Sequence, residues 1–98
     1  MPNDAYRALA DPTRRGILRL LREREMTAGE IAGQFQLAKP TLSGHFAVLR
    51  EAGLVNSSRA ATTITYRLNV AALEAALMSL MDEFRLFIGP APSPRSDH

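Results

Sequence analysis

Between Thr27 and Leu68 the apolar spacing of this 98-residue chain switches once, from helical to alternating, and that switch narrows the fold more than any other feature. Thr27-Ala-Gly-Glu30 has capping-box spacing, in which the Thr27 hydroxyl and the Glu30 carboxylate each accept from the other's backbone N–H. It opens a short helix with Ala28, Ile31, Ala32 and Phe35 at i, i+3, i+4 and i+7. Gln36-Leu37-Ala38 forms the turn. A further helix starts near Lys39-Pro40, buries Leu42, Phe46 and Leu49, and ends before Gly53, which suits the left-handed residue that closes a helix. The segments Leu54 to Arg59 and Thr63 to Leu68 then favour strands. Ile64, Tyr66 and Leu68 alternate with Thr63, Thr65 and Arg67, and Ala60–Thr62 connect the two. Two helices joined by a tight turn and followed at once by a hairpin are the layout of a winged helix-turn-helix.

The flanks complete the domain. Ala5 to Ala10 reads as a short helix. Asp11 caps the next one, and Pro12 takes its first position, where a missing N–H costs nothing. That helix runs to about Arg24, with Ile17, Leu18, Leu20 and Leu21 as its buried stripe and Arg14, Arg15, Arg19, Arg22 and Glu23 left wet. Asn69 caps a long last helix whose Leu73, Leu77, Leu80, Met81, Phe84, Phe87 and Ile88 share one stripe, with Gly89 at its end. The expected fold is mainly α with a small β-hairpin, in the order α-α-α-α-β-β-α. It forms one domain over residues 1–88, with a Pro-rich tail at 89–98 that is expected to be disordered. No internal repeat is present.

Composition removes several functions. The chain has no cysteine, which excludes thiolate nucleophiles, redox switches and cysteine zinc sites and fits a cytoplasmic location. No window reaches the roughly 18 apolar residues of a membrane span, so no membrane insertion is expected. Met-Pro-Asn-Asp lacks the basic-then-apolar layout of a secretory signal. No Ser/His/Asp set, phosphate loop or paired carboxylates appear, so no enzyme is expected. Charge is uneven: residues 1–70 carry ten Lys+Arg against six Asp+Glu, while residues 71–98 carry two against four. A basic front suits a polyanionic partner.

On the helix that begins at Lys39, the outward positions are Lys39, Thr41, Ser43, Gly44, Ala47 and Arg50. These are small, hydrogen-bonding or basic, as a surface entering a major groove about 12 Å wide requires. Lys39, Pro40, Thr41 and Ser43 form its tip, and Gly44 permits close approach. Lys39 sits at the positive end of the helix dipole, an unfavourable place for a cation unless an anion faces it. Arg50 and Arg59 are candidates for phosphate contact, although either could be an ordinary solvated charge. Thr27 is first a cap, and the helix that it opens could also meet a phosphate. His45 borders the buried stripe, so a structural histidine and a DNA contact are both open. The only other histidine is His98, and no metal site or cofactor is expected.

Ala8-Leu-Ala-Asp-Pro-Thr-Arg-Arg-Gly-Ile-Leu18, Met26-Thr-Ala-Gly-Glu-Ile-Ala32, Lys39-Pro-Thr-Leu-Ser43, His45, Leu49 and Tyr66-Arg-Leu-Asn69 together resemble the ArsR (ArsR/SmtB) repressors. Within that family they resemble the metal-free, SdpR-like autorepressor branch. The resemblance spans about residues 5–88. It implies a homodimer built on the first and last helices, binding a pseudo-palindromic operator in double-stranded DNA, with repression relieved by some signal. This chain departs from the family where many members carry a cysteine pair, since Thr27–Gln34 holds none, and the last helix has no histidine for an interfacial zinc site. The wing reads Arg59-Ala-Ala-Thr-Thr63, with Ala61 where glycine is usual. Ala38 replaces the usual serine cap.

The last helix's stripe and the first helix's Tyr6 and Leu9 offer more apolar surface than 98 residues can cover, which points to a two-fold dimer. Its expected interface comprises Tyr6, Leu9, Leu73, Leu77, Leu80, Met81, Phe84, Phe87 and Ile88. The rival reading is a winged helix used as a protein-interaction module, because fold alone does not set function. The inducing signal is open between a small apolar ligand between the dimer helices, a sequestering protein, and none.

Overall fold

The computed structural model describes residues 2–86, and of Pro2 and Asn3 only the backbone. Its elements run α1 (Pro2–Leu9), α2 (Pro12–Glu23), β1 (Met26–Thr27), α3 (Ala28–Ala32), α4 (Lys39–Glu51), β2 (Val55–Ala60), β3 (Thr63–Leu68) and α5 (Val70–Glu83). Asp11 separates α1 from α2 as expected: it is extended, and its Oδ2 accepts from the Arg14 N–H at 3.0 Å. The first helix begins at Pro2 and ends at Leu9, earlier at both ends than the sequence suggests.

The helices pack around Ile17, Ile31, Leu49 and Leu54, each fully buried, with Leu42 and Phe46 beside them. Leu20 departs from expectation, being only half-buried at the margin of this core. Gly16 lets α2 approach the end of the α3 region: a Cβ there would lie 3.2 Å from the Phe35 ring. The stack of Phe46 on Tyr66, with centroids 4.2 Å apart, fastens the hairpin to α4.

The hairpin is part of a three-stranded antiparallel sheet in the order β1-β3-β2. β1 pairs Met26 with Tyr66 and Thr27 with Thr65. Two residues are too few to show a period, so this strand left no sequence signature. The connecting loop is Ala61-Thr62, and Ala61 adopts φ 55°, the backbone conformation that glycine usually supplies.

The last helix differs most from its sequence reading. It ends at Glu83, with Phe84 as C-cap rather than as part of a helical stripe reaching Ile88. Arg85 takes φ 56°, its N–H donates to the Asp82 carbonyl at 3.1 Å, and the Leu86 N–H donates to the Met81 carbonyl at 2.8 Å. These bonds are a Schellman motif. The same motif closes α4, where Gly53 (φ 76°) donates to Arg50 and Leu54 donates to Leu49. One motif carries glycine and the other arginine, so only the first was visible in the sequence. Phe87, Ile88, Gly89 and the Pro-rich tail lie outside the described residues.

Candidate nucleic-acid interface

The capping box at Thr27 is complete. The Thr27 Oγ1 accepts from the Glu30 N–H at 3.1 Å, and the Thr27 N–H donates to the Glu30 Oε1 at 2.9 Å. The bond from the Thr27 amide is the main reason that the Glu30 carboxyl titrates below its ordinary range, with Arg24 adding a smaller attraction. Thr27 is therefore committed as a cap, although its own hydroxyl hydrogen remains free to donate.

The start of α4 is built differently. Ala38 has no polar side chain to cap it, so the positive end of the helix carries no side-chain cap hydrogen bond. Lys39, Pro40, Thr41, Ser43 and Gly44 are all exposed there. Lys39 and Ser43 form one wall of a trough of about 280 Å³, whose other sides come from Ala28, Gly29 and Ala32 of α3 and Ile64 of β3. A second hollow continues from Gly29 and Thr27 to Thr62 and Thr63 at the wing. No acidic side chain lines either one.

The remaining predicted contacts lie apart from that tip. Arg50 is exposed in the last turn of α4, about 16 Å along the helix from Lys39. Arg59 pairs with Ile64 across the hairpin, on the face that the half-buried Ile64 shares with Tyr66. It is exposed one position before the end of β2. Arg67 lies on the opposite face of β3 beside Asn56.

His45 turns toward the protein. Its Nδ1 lies 3.1 Å from the Arg14 Nη1, and its side chain is 15% exposed. A guanidinium can only donate, so Nδ1 accepts and the neutral ring carries its proton on Nε2. Arg14 also donates from Nε to the Ala8 carbonyl at 2.9 Å and from Nη2 to the Arg7 carbonyl at 3.0 Å. Arg14 is thus half-buried and engaged, not wet: it ties the end of α1 to the middle of α4. Asp11 stands 4.0 Å from the same His45 nitrogen. Its carboxyl is lowered chiefly by the Arg14 amide, an effect that partial burial opposes and that the charge of Arg14 reinforces, as does His45 whenever its ring is protonated. Sequence spacing could not reveal the Arg14–His45 contact, which joins residues on different helices.

Arranged this way, a cationic helix tip beside a polar wing belongs to a well-populated family. Residues 11–57 match the family model described as "Bacterial regulatory protein, arsR family". The transcriptional repressor SdpR of Bacillus subtilis is 40% identical over 75 residues, covering 76% of this chain and 83% of that protein. The chain belongs to the ArsR family. The HTH-type transcriptional regulator Rv2034 of Mycobacterium tuberculosis is 39% identical over 83 residues, covering 85% of this chain and 77% of that protein. Among solved structures, the transcriptional repressor BigR from Xylella fastidiosa matches with a TM-score of 0.65 at 32% identity, covering 84% of each chain. This ArsR-family chain is a transcriptional regulator with a DNA-binding winged helix-turn-helix.

Proposed function

We propose that the protein is a dimeric, sequence-specific repressor that reads a pseudo-palindromic operator in double-stranded DNA through the N-terminal half of α4. The observation that carries this reading is the uncapped, exposed tip of α4, where Lys39 stands at the positive helix end with no acidic neighbour in the trough. Such a tip is stabilised when a phosphate or a guanine edge meets it. Thr41 and Ser43 supply further hydrogen bonds, and Gly44 allows close approach. Arg50 and Arg59 neutralise phosphates at the margins, and Thr27 donates at the wing side. His45 holds α4 in place through Arg14.

The second copy is called for by α5. Its one buried residue is the small Ala76, with Ala72 half-buried, while Leu77 and Met78, and Phe84 and Leu86 just beyond the helix, stay exposed. Leu73, Leu80 and Met81 are half-buried, as are Tyr6 and Leu9 of α1. Pairing two such faces would cover them and set two α4 tips about 34 Å apart, the repeat of successive major grooves. No helix among the described residues is long and apolar enough to cross a membrane. Operator DNA would place the protein in the cytoplasm.

Fluorescence anisotropy with DNA from its own promoter tests this reading. Affinity for promoter DNA should exceed that for random duplex and fall steeply with salt. Lys39→Ala should weaken promoter binding by about 1–3 kcal/mol if the lysine reads a base. Equal affinity for promoter and random duplex at moderate salt would favour a protein-interaction module instead.

A further inference from the structure

Arg14 joins three helices through one side chain. It stands in the first turn of α2, its Nε and Nη2 donate to the Ala8 and Arg7 carbonyls of α1, and its Nη1 donates to the His45 ring of α4. The Ala8 carbonyl lies in the last turn of α1, where a helix offers its own carbonyls no donor and a cation suits the negative end. Each nitrogen of the guanidinium is thus engaged. The fork is planar and rigid, so it cannot leave His45 without pulling on α1.

This arrangement depends on an uncharged ring. The His45 Nδ1 accepts only while it carries no proton. A protonated ring would set N–H against N–H, and one positive charge against another, across 3.1 Å. An anion is at hand for that charged ring: the Asp11 Oδ2 lies 4.0 Å from the same nitrogen and already accepts the Arg14 amide. Helices α1 and α2 and strand β2 pack on α4, and among the described residues they bring no other carboxylate that close to His45. On α1, Asp4 and Arg7 are exposed and Tyr6 is half-buried. Arg15 of α2 turns to the Leu9 carbonyl, and Arg59 of β2 is exposed at the wing. On α4 itself Lys39, Arg50 and Glu51 are exposed and more than a turn away.

We propose that Arg14 and His45 form a proton-sensitive latch, and that protonating His45 uncouples the DNA-reading helix α4 from α1 and lowers the preference for operator over random DNA. The ring leaves Arg14 for Asp11, so α4 stays fastened to the start of α2 but no longer to the end of α1. Because α1 belongs to the proposed dimer interface, that tie fixes the direction of each α4 tip relative to the two-fold axis. The effect on DNA rests on the dimeric-repressor reading, whereas the latch does not. Arg14 is accordingly a positioning residue that acts on DNA through His45. An added positive charge attracts any duplex, so the ratio of promoter to random affinity is the quantity that reports the latch.

Fluorescence anisotropy of the full-length protein with promoter and random duplex, at constant salt between about pH 8 and about pH 5, covers the range in which an imidazole changes charge. The promoter preference should fall by about tenfold toward the acid end. His45→Asn places an uncharged acceptor where Nδ1 stands and should flatten that fall, whatever its affinity at high pH. Arg14→Gln should show the reduced preference already at high pH, with no further fall. A preference that holds constant in the wild type, that falls equally in His45→Asn, or that follows the wild-type profile in Arg14→Gln overturns the switch. Nitrogen NMR of the imidazole, without DNA, reads the latch itself. Nδ1 should be bare at high pH and gain its proton over the interval in which the preference falls. A proton on Nδ1 at high pH, or one charge state throughout, overturns the latch. Absence of any promoter preference at high pH removes the repressor reading alone, and the NMR result then decides the latch.

Discussion

The two longest helices outside the α1–α2 pair are finished in opposite ways. α4 buries its large residues, Leu42, Phe46 and Leu49, and shows small or basic side chains to solvent until Glu51 at its end. α5 buries Ala76 and leaves Leu77, Met78 and Phe84 outside. One is complete within its own chain as far as folding goes, and what it lacks is an anion. The other lacks apolar cover. The contrast shows where each kind of partner belongs: nucleic acid against a helix whose core is satisfied, and protein against a helix whose core is not.

The sharpest way to break this contrast is to damage each helix on the side that matters to it. Leu49→Ala empties a fully buried site and should cost about 2–5 kcal/mol of stability in urea unfolding. If α4 were instead held mainly by a partner, the loss would fall below 1 kcal/mol or so. Leu77→Glu combined with Phe84→Glu should leave the helical circular dichroism intact, convert dimer to monomer in sedimentation, and weaken promoter binding at least a hundredfold. A stable dimer in that variant would remove α5 from the interface.

A finer comparison concerns how the two helices end. Gly53→Ala should destabilise by about 1 kcal/mol, since alanine must then hold φ 76°. Arg85→Gly should stabilise by up to about 1 kcal/mol, for the converse reason. A thermal-melting series that finds no gain for Arg85→Gly would mean that the arginine side chain offsets its own backbone strain.

The smallest expected effect is electrostatic. Both cap carboxylates, Asp11 and Glu30, titrate below their ordinary values in the folded protein. Their contribution is fully present above the ordinary carboxylate range near about pH 4 and is lost as pH falls through the lowered values. Glu30→Gln preserves the box geometry and should flatten part of that acid loss. An unchanged acid limb in this variant would show that α3 draws nothing from the charge.

Much of this architecture could be read in advance, for local reasons. Asp11-Pro12, Thr27 with Glu30, Gly53 and Asn69 each announce a helix boundary because each satisfies a backbone donor, or adopts a backbone angle, that few other residues can. The Asn69 amide does still more, accepting from the Ala72 N–H and donating to the Gly53 carbonyl, so one residue joins the end of α4 to the start of α5. Where the boundary residue was unorthodox, the reading failed. Arg85 closes α5 in a conformation that its side chain disfavours, and the Leu86–Met81 bond that holds it there is invisible in composition. β1 escaped notice because two residues acquire strand geometry only from the neighbour that pairs with them.

The chain's order of residues determined which helices form, which faces are apolar, and that the start of α4 carries a lysine without a cap, because these depend on neighbours within a turn or two. Folding decided the rest: that Arg14 reaches across to His45, that Arg15 reaches back to the Leu9 carbonyl, and that α5 buries Ala76 while leaving Leu77 exposed. Each depends on separate elements meeting in space, and no local period encodes the distance or angle at which they meet.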